Sequence, residues 1–194
     1  MFKRKKNEFR PDRPDSDLLG KLLLTKKQTR TVLRWLLFSV TCLVMLLIQD
    51  VLMSRFQMFG ATTDLVPCVI FAICILQGGE SSCIFALLAS AIYQFSGSAP
   101  GAYCIVLITF LAVLAAIFRQ AYLRKGFSAL IICAALSIFL YEMCVFGIEV
   151  FLGNTSGDRV GRFLLTAVYT LIPVPVLYPV LMSIGKIGGE TWKE

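Results

Sequence analysis

From Trp35 to Ile184 the chain is an almost unbroken run of apolar side chains, interrupted only by punctuation a few residues long. A stretch of about 18 apolar residues already reads as a membrane-spanning helix, and here such stretches follow one another. Nearly the whole protein is therefore expected inside a bilayer. The pieces on either side, a tail of 34 residues and a short C-terminal stub, are too small to bury a core of their own. Hydrophobic residues make up 57% of the chain and charged ones 16%, which excludes an ordinary soluble domain of this length.

Charge is distributed as unevenly as hydropathy. The net charge of +7 resides in residues 1–34, where eleven Lys and Arg side chains face four acids, while the remainder is balanced. Cytoplasmic loops collect Lys and Arg. The tail, the Arg119/Arg124/Lys125 turn and the end with Lys186 and Lys193 fall on one side if the spans alternate, leaving Arg55, Arg159 and Arg162 on the other. Both termini are accordingly expected in the cytoplasm. Three regions follow: a basic cytoplasmic tail at 1–34, a transmembrane domain at 35–186 and a short cytoplasmic tail at 187–194. Within the first, residues 17–30 could form an amphipathic helix on anionic lipid, although a solvated tail is the plainer reading. A cleavable signal peptide is not expected, because the first apolar run starts too far from residue 1.

The expected spans are Trp35 to about Met53, Asp64 to Leu76, Cys83 to Phe95, Tyr103 to Phe118, Phe127 to Phe151 and Phe163 to Ile184. The fold class is thus an all-α integral membrane bundle of about six helices. The second and third runs are short, and a re-entrant pair with its tip at 78–82 is the other possibility. Pro173, Pro175 and Pro179 each remove a backbone donor, so the last span must kink or unwind. The seven cysteines show no C-x-x-C spacing and read as buried thiols.

No histidine is present, which removes the commonest general base and metal ligand. No hydrolytic or phosphate-loop motif occurs, and neither an enzyme activity, a cofactor nor a nucleic-acid partner is expected. Interest falls instead on ionisable residues within apolar runs, which cost about 2.5–3.5 kcal/mol at a helix centre and usually carry a packing or functional role. Asp50 and Glu142 each lie fifteen residues beyond the inner end of their spans, about 22 Å up. Glu149 is two turns beyond Glu142 on nearly the same face. Gln49, Asp50, Arg55, Glu142, Glu149 and Arg162 could therefore form one polar cluster near the outer surface. Interhelical packing, a partner interface and a small-ligand pocket are its three readings.

Gln49-Asp50, Phe59-Gly60, Thr63-Asp64-Leu65-Val66-Pro67, Gly78-Gly79-Glu80, Gly101-Ala102-Tyr103, the basic 119–125 turn and the proline-bearing last span, in that order, resemble the MreD family of rod-shape-determining membrane proteins. The likeness covers roughly residues 34–186, with Asp64, Leu65, Pro67, Gly78 and Glu80 as its motif positions. Thr63 stands where the family usually has Pro, Gln94 where an acid is usual, and the third span lacks the family's glycines. The resemblance implies a non-enzymatic scaffold of the bacterial cell-wall elongation machinery, in the cytoplasmic membrane, working with MreC, MreB, RodA and a class B penicillin-binding protein. Bundles of this size also resemble the substrate-binding S components of energy-coupling-factor vitamin transporters. On that second reading the outer polar cluster would hold the ligand.

Overall fold

The computed structural model describes residues 26–53, 63–78, 80–122 and 126–187. Seven α-helices account for most of them: α1 (Lys26–Ile48), α2 (Leu65–Gln77), α3 (Glu80–Phe95), α4 (Tyr103–Tyr122), α5 (Phe127–Phe151), α6 (Val160–Leu171) and α7 (Val174–Lys186). A π-helical turn, Gln49–Met53, continues α1, and a 3-10 turn, Gly157–Arg159, leads into α6. No strand occurs among the described residues. Three segments, Gln28–Val51, Tyr103–Ala121 and Phe127–Phe151, are long and apolar enough to cross a membrane, and α6 with α7 make a fourth as a bent pair. The first helix starts at Lys26, ahead of the apolar run, because Lys, Gln and Arg are good helix formers and extend the helix past its lipid-facing part. The rest of the expected amphipathic stretch, Arg55 and the tail beyond Ile187 lie outside the described residues.

One helix organises the others. Twelve of the thirteen residues of α2 are buried, Leu65 through Leu76, and each of the other six helices packs against it. A helix that is apolar all round belongs in a core. Around it the remaining helices form a ring in the order α1, α3, α4, α5, then the bent α6–α7 pair, of which α7 returns to α1. Apolar burial alone does not drive helices together in lipid; close van der Waals packing does, and small residues permit it. The ring helices turn such residues inward: Ser82, Ala86, Ala89 and Ser90 on α3, Ala112 and Ala115 on α4, Cys133, Ala134 and Ser137 on α5. The bulky Ile70, Phe71, Ile73 and Ile75 of α2 fill the space they leave. Aromatic pairs join the layers, with Phe71 of α2 edge-on to Tyr141 of α5 at 6.1 Å and Phe127 of α5 edge-on to Tyr178 of α7 at 4.9 Å.

The outward faces are equally apolar. Leu36, Leu43 and Leu47 of α1, Val106 and Phe110 of α4, and Ile132 and Leu136 of α5 are all exposed. Cys144 shares that outward face and Cys83 is half-buried, so the expectation of seven buried thiols holds for five. Arg34 and Arg119, expected in a water-facing tail and turn, are 8% and 6% exposed. Both lie on the inward rows of their helices, Arg34 one turn before Phe38 and Arg119 one turn after Ala115, and the neighbouring helices cover them.

The prolines do what their chemistry requires. The last span breaks between α6 and α7 with a bend of 45°. Pro173 has no N–H to offer the Tyr169 carbonyl, and Ile172 N–H takes that acceptor instead at 3.2 Å. At the opposite end of α2, Gly78 accepts a turn that other residues resist. Its φ and ψ are 62° and −179°, a region populated almost solely by glycine, and its N–H donates to the Cys74 carbonyl at 2.9 Å. A Cβ there would overlap the Gln120 amide and lie 3.2 Å from Arg119 Nη2. Gly78 thus sits at the far end of α4, and α2 leads from Asp64 to it, with α3 packed beside α2.

Replacing Gly78 by Ala should cost about 1–3 kcal/mol through backbone strain and lower the melting midpoint by several degrees. Because the cost lies in the backbone, adding Gln120→Ala should not restore it. Full recovery in the double variant, measured by thermal unfolding in detergent, would assign the effect to the side-chain overlap instead.

Candidate functional site

At the end of the bundle opposite Gly78, the buried helix α2 stops well short of the surrounding helices. Its thirteen residues span about 20 Å, against about 30 Å for the twenty residues of α4. The first N–H groups of an α-helix have no partner within it, and in an apolar medium they must find one elsewhere. Gln49 supplies it. Gln49, seven residues after Cys42, lies on the inward row of Arg34, Phe38, Cys42 and Leu46, where its Oε1 accepts from Val66 N–H at 2.9 Å. Its Nε2 donates to the Tyr93 hydroxyl of α3 at 3.4 Å. Pro67 has no N–H and removes one demand at the same end. The backbone N–H of Asp64 donates to Thr170 Oγ1 of α6 at 3.0 Å.

Above this junction lies a polar cleft of about 320 Å³, lined by Asp64, Ser98, Pro100, Glu142, Val145, Thr155, Arg159, Arg162, Phe163 and Thr166. Glu142 comes from the inward row of α5, one turn past Ile138, and is 3% exposed. Its Oε1 has no hydrogen-bond partner among the described residues. Asp64 is half-buried at the start of α2, while Arg159 and Arg162 are exposed. The cleft therefore has two carboxyl groups toward its floor and two guanidinium groups at its rim. Ser98, in the turn between α3 and α4, donates to the Asp50 carboxylate and ties the π turn to the cleft wall. The Tyr93 hydroxyl donates to the Ser98 carbonyl at 3.3 Å.

The expected polar cluster is thus divided. Glu142 and Arg162 line the cleft, Asp50 touches it through Ser98, and Gln49 serves as a helix cap beneath it. Glu149 departs from the group: it accepts from the Tyr103 hydroxyl at 2.6 Å. Although it shares a helix face with Glu142, it stands two turns higher, where the N-terminus of α4 brings Tyr103 against it. Arg55 lies outside the described residues. Asp64, read from the sequence only as a motif residue, belongs to the cleft, as does Arg159. The sequence signal for Arg159 was available, since it shares the side of the membrane expected for Arg162 and lies three residues before it. The other motif positions are structural: Leu65 and Pro67 form the first turn of α2, Gly78 ends it, and Glu80 opens α3 on an exposed face.

Among the described residues no group of three His, Cys, Asp or Glu side chains is placed to hold a metal ion. A second hollow, about 290 Å³ between α4 and α5, is lined by Leu111, Leu114, Ile117, Phe118, Leu136 and similar side chains and offers no comparable chemistry.

Gln49→Leu should destabilise the bundle by about 1–3 kcal/mol, the cost of stranding a buried donor. Tyr93→Phe should cost less than about 1 kcal/mol, because both its hydrogen bonds are long. The reverse order in thermal unfolding would locate the essential bond at Tyr93 rather than at the end of α2.

Comparison of the chain with protein-family models, with characterised proteins and with solved structures finds no match.

Proposed function

We propose that this protein is a non-enzymatic membrane scaffold of the MreD type, assembling with cell-wall elongation proteins in the bacterial cytoplasmic membrane. The observation that carries the reading is the position of the residues on which the resemblance rests. Asp64, Leu65, Pro67 and Gly78 frame the two ends of the helix against which the whole bundle packs. A pattern that defines the axis of a bundle is what a shared scaffold would retain. Support also comes from the all-helical architecture of the described residues, whose outward faces are largely apolar.

On this reading the chain crosses the bilayer six times with both ends cytoplasmic. The reading counts α2 and α3, of thirteen and sixteen residues, as two short crossings, and the bent α6–α7 pair as one. MreC, MreB, RodA and a class B penicillin-binding protein are the proposed partners. One observation favours a second reading, an S component of an energy-coupling-factor transporter: the cleft holds a buried carboxyl group, Glu142, whose Oε1 has no hydrogen-bond partner among the described residues, as a ligand site would.

Two experiments test the proposal. On a cysteine-free background, single cysteines at Ser81 and Gly157 are probed in intact cells with an impermeant thiol reagent. Position 157 should label from outside and position 81 should not; labelling at 81 excludes the six-span arrangement. Depletion in the native host should turn rods round or swollen, and affinity purification in mild detergent should recover MreC or a penicillin-binding protein. Recovery of ATP-binding-cassette subunits instead would replace the scaffold with the transporter reading.

A further inference from the structure

The polar cleft has a polarity of its own, and that polarity specifies a ligand. From the chemistry of its walls we infer that it binds a dipolar group in which a primary ammonium is joined by a short spacer to a phosphate. The inference rests on the cleft alone and on neither functional reading above.

Glu142 carries the first half of the argument. Its side chain is 3% exposed, it lines the cleft, and Oε1 lacks a hydrogen-bond partner among the described residues. Buried carboxyl oxygens in folded proteins are nearly always satisfied, and an exception calls for a missing donor. Asp64 borders the same space. Two carboxylates sharing a cleft repel one another, so that either one of them takes up a proton or a cation lies between them; a primary ammonium is such a cation and brings three N–H donors as well. A quaternary ammonium would bring the charge without the donors.

The rim supplies the second half. Arg159 ends the 3-10 turn and Arg162 lies in the first turn of α6, three residues on, so the two guanidinium groups border one opening. Both are exposed. The start of α6, twelve residues long, adds the partial positive charge of a helix N-terminus on the same side. Arg presents a planar fork of donors suited to phosphate. An anion at the rim and an ammonium at the floor would complete both sets of charges at once, and a volume of about 320 Å³ is ample for an ethanolamine phosphate unit. The group could arrive as the head of a phosphatidylethanolamine lipid or as a free phosphomonoester, since the cleft reads only what the two share.

The test uses the full-length protein in phosphatidylcholine nanodiscs, followed by thermal unfolding. In one arm, phosphoethanolamine is titrated in solution; in the other, phosphatidylethanolamine replaces part of the lipid. At a hundredfold excess over Kd, binding should raise the melting midpoint by about 5 °C or more. A rise in the first arm identifies a soluble ligand, and a rise in the second alone identifies the lipid head group; either supports the inference. Glu142→Gln, which preserves volume, and Arg162→Gln, which is exposed, should each weaken binding by about tenfold or more. If Glu142→Gln does not fold, the Arg162 variant still decides. No rise in either arm overturns the inference. So does an equal rise with phosphocholine or phosphatidylglycerol, which lack the primary ammonium, or a response that both variants leave unchanged.

Discussion

In an apolar medium every backbone donor and acceptor must be satisfied within the protein, and the structure depends on how this is met at the ends of the buried helix α2. Its flanks are enclosed by six other helices, and the first residues of α2, Leu65 and Val66, are buried. The partners come from far along the chain: Gln49 from the end of α1 and Thr170 from α6. Each bond therefore fixes a helix position as well as closing a donor. Gln49 can serve there because it continues the inward row of α1 to the level at which α2 begins. At the other end a glycine in a conformation barred to other residues turns the chain back within the space left by Arg119 and Gln120.

The cleft is a consequence of that arrangement. A central helix touching no lipid is not obliged to match the bilayer thickness, as its neighbours are. Being short, α2 ends below the rim, and the helices around it contribute polar residues to the space above. Asp64 stands at the floor because it precedes the first turn of α2, where a negative side chain is favoured by the helix dipole. Glu142 stands there because α5 places it on the inward face at the depth where α2 has ended. A charge that would be costly against apolar side chains is tolerated where it borders a polar cavity. The bundle thus combines a tightly packed lower part, assembled from small residues on the ring and large ones on the axis, with an open and polar upper part.

This division bears on the functional readings. A scaffold needs a rigid body and lateral surfaces; the packed lower part and the apolar ring provide both. A binding protein needs a cavity that reaches water, and the upper part provides one. The two are compatible in one molecule, because the cleft is built from helix ends and turns while the lateral faces belong to helix middles. A head group held at the rim would lie between the scaffold and its lipid surroundings.

The hydropathy of residues 35–184, with its interruptions, was enough to determine the helical class, the order of apolar helices suited to a bilayer, and a break in the proline-bearing last one, since each follows from local composition and backbone chemistry; which of its three prolines marks the break was not legible. The packing or functional role expected of Glu142 followed from the cost of an ionisable group in an apolar run. Only the tertiary structure decided which helix is central. In a soluble protein the polar face of a helix marks the outside, but here lipid-facing and core-facing residues are both apolar, and periodicity loses its direction. For the same reason Arg34 and Arg119 read as loop charges when they are covered by neighbouring helices, and Glu149 read as a companion of Glu142 when it belongs to Tyr103. The joining of Asp64 to Thr170, 106 residues apart, and the gathering of Asp64 and Glu142 with Arg159 and Arg162 around one cleft, depend on how helices cross. Packing angles are set by side-chain shapes meeting across the whole bundle, and no local pattern encodes them.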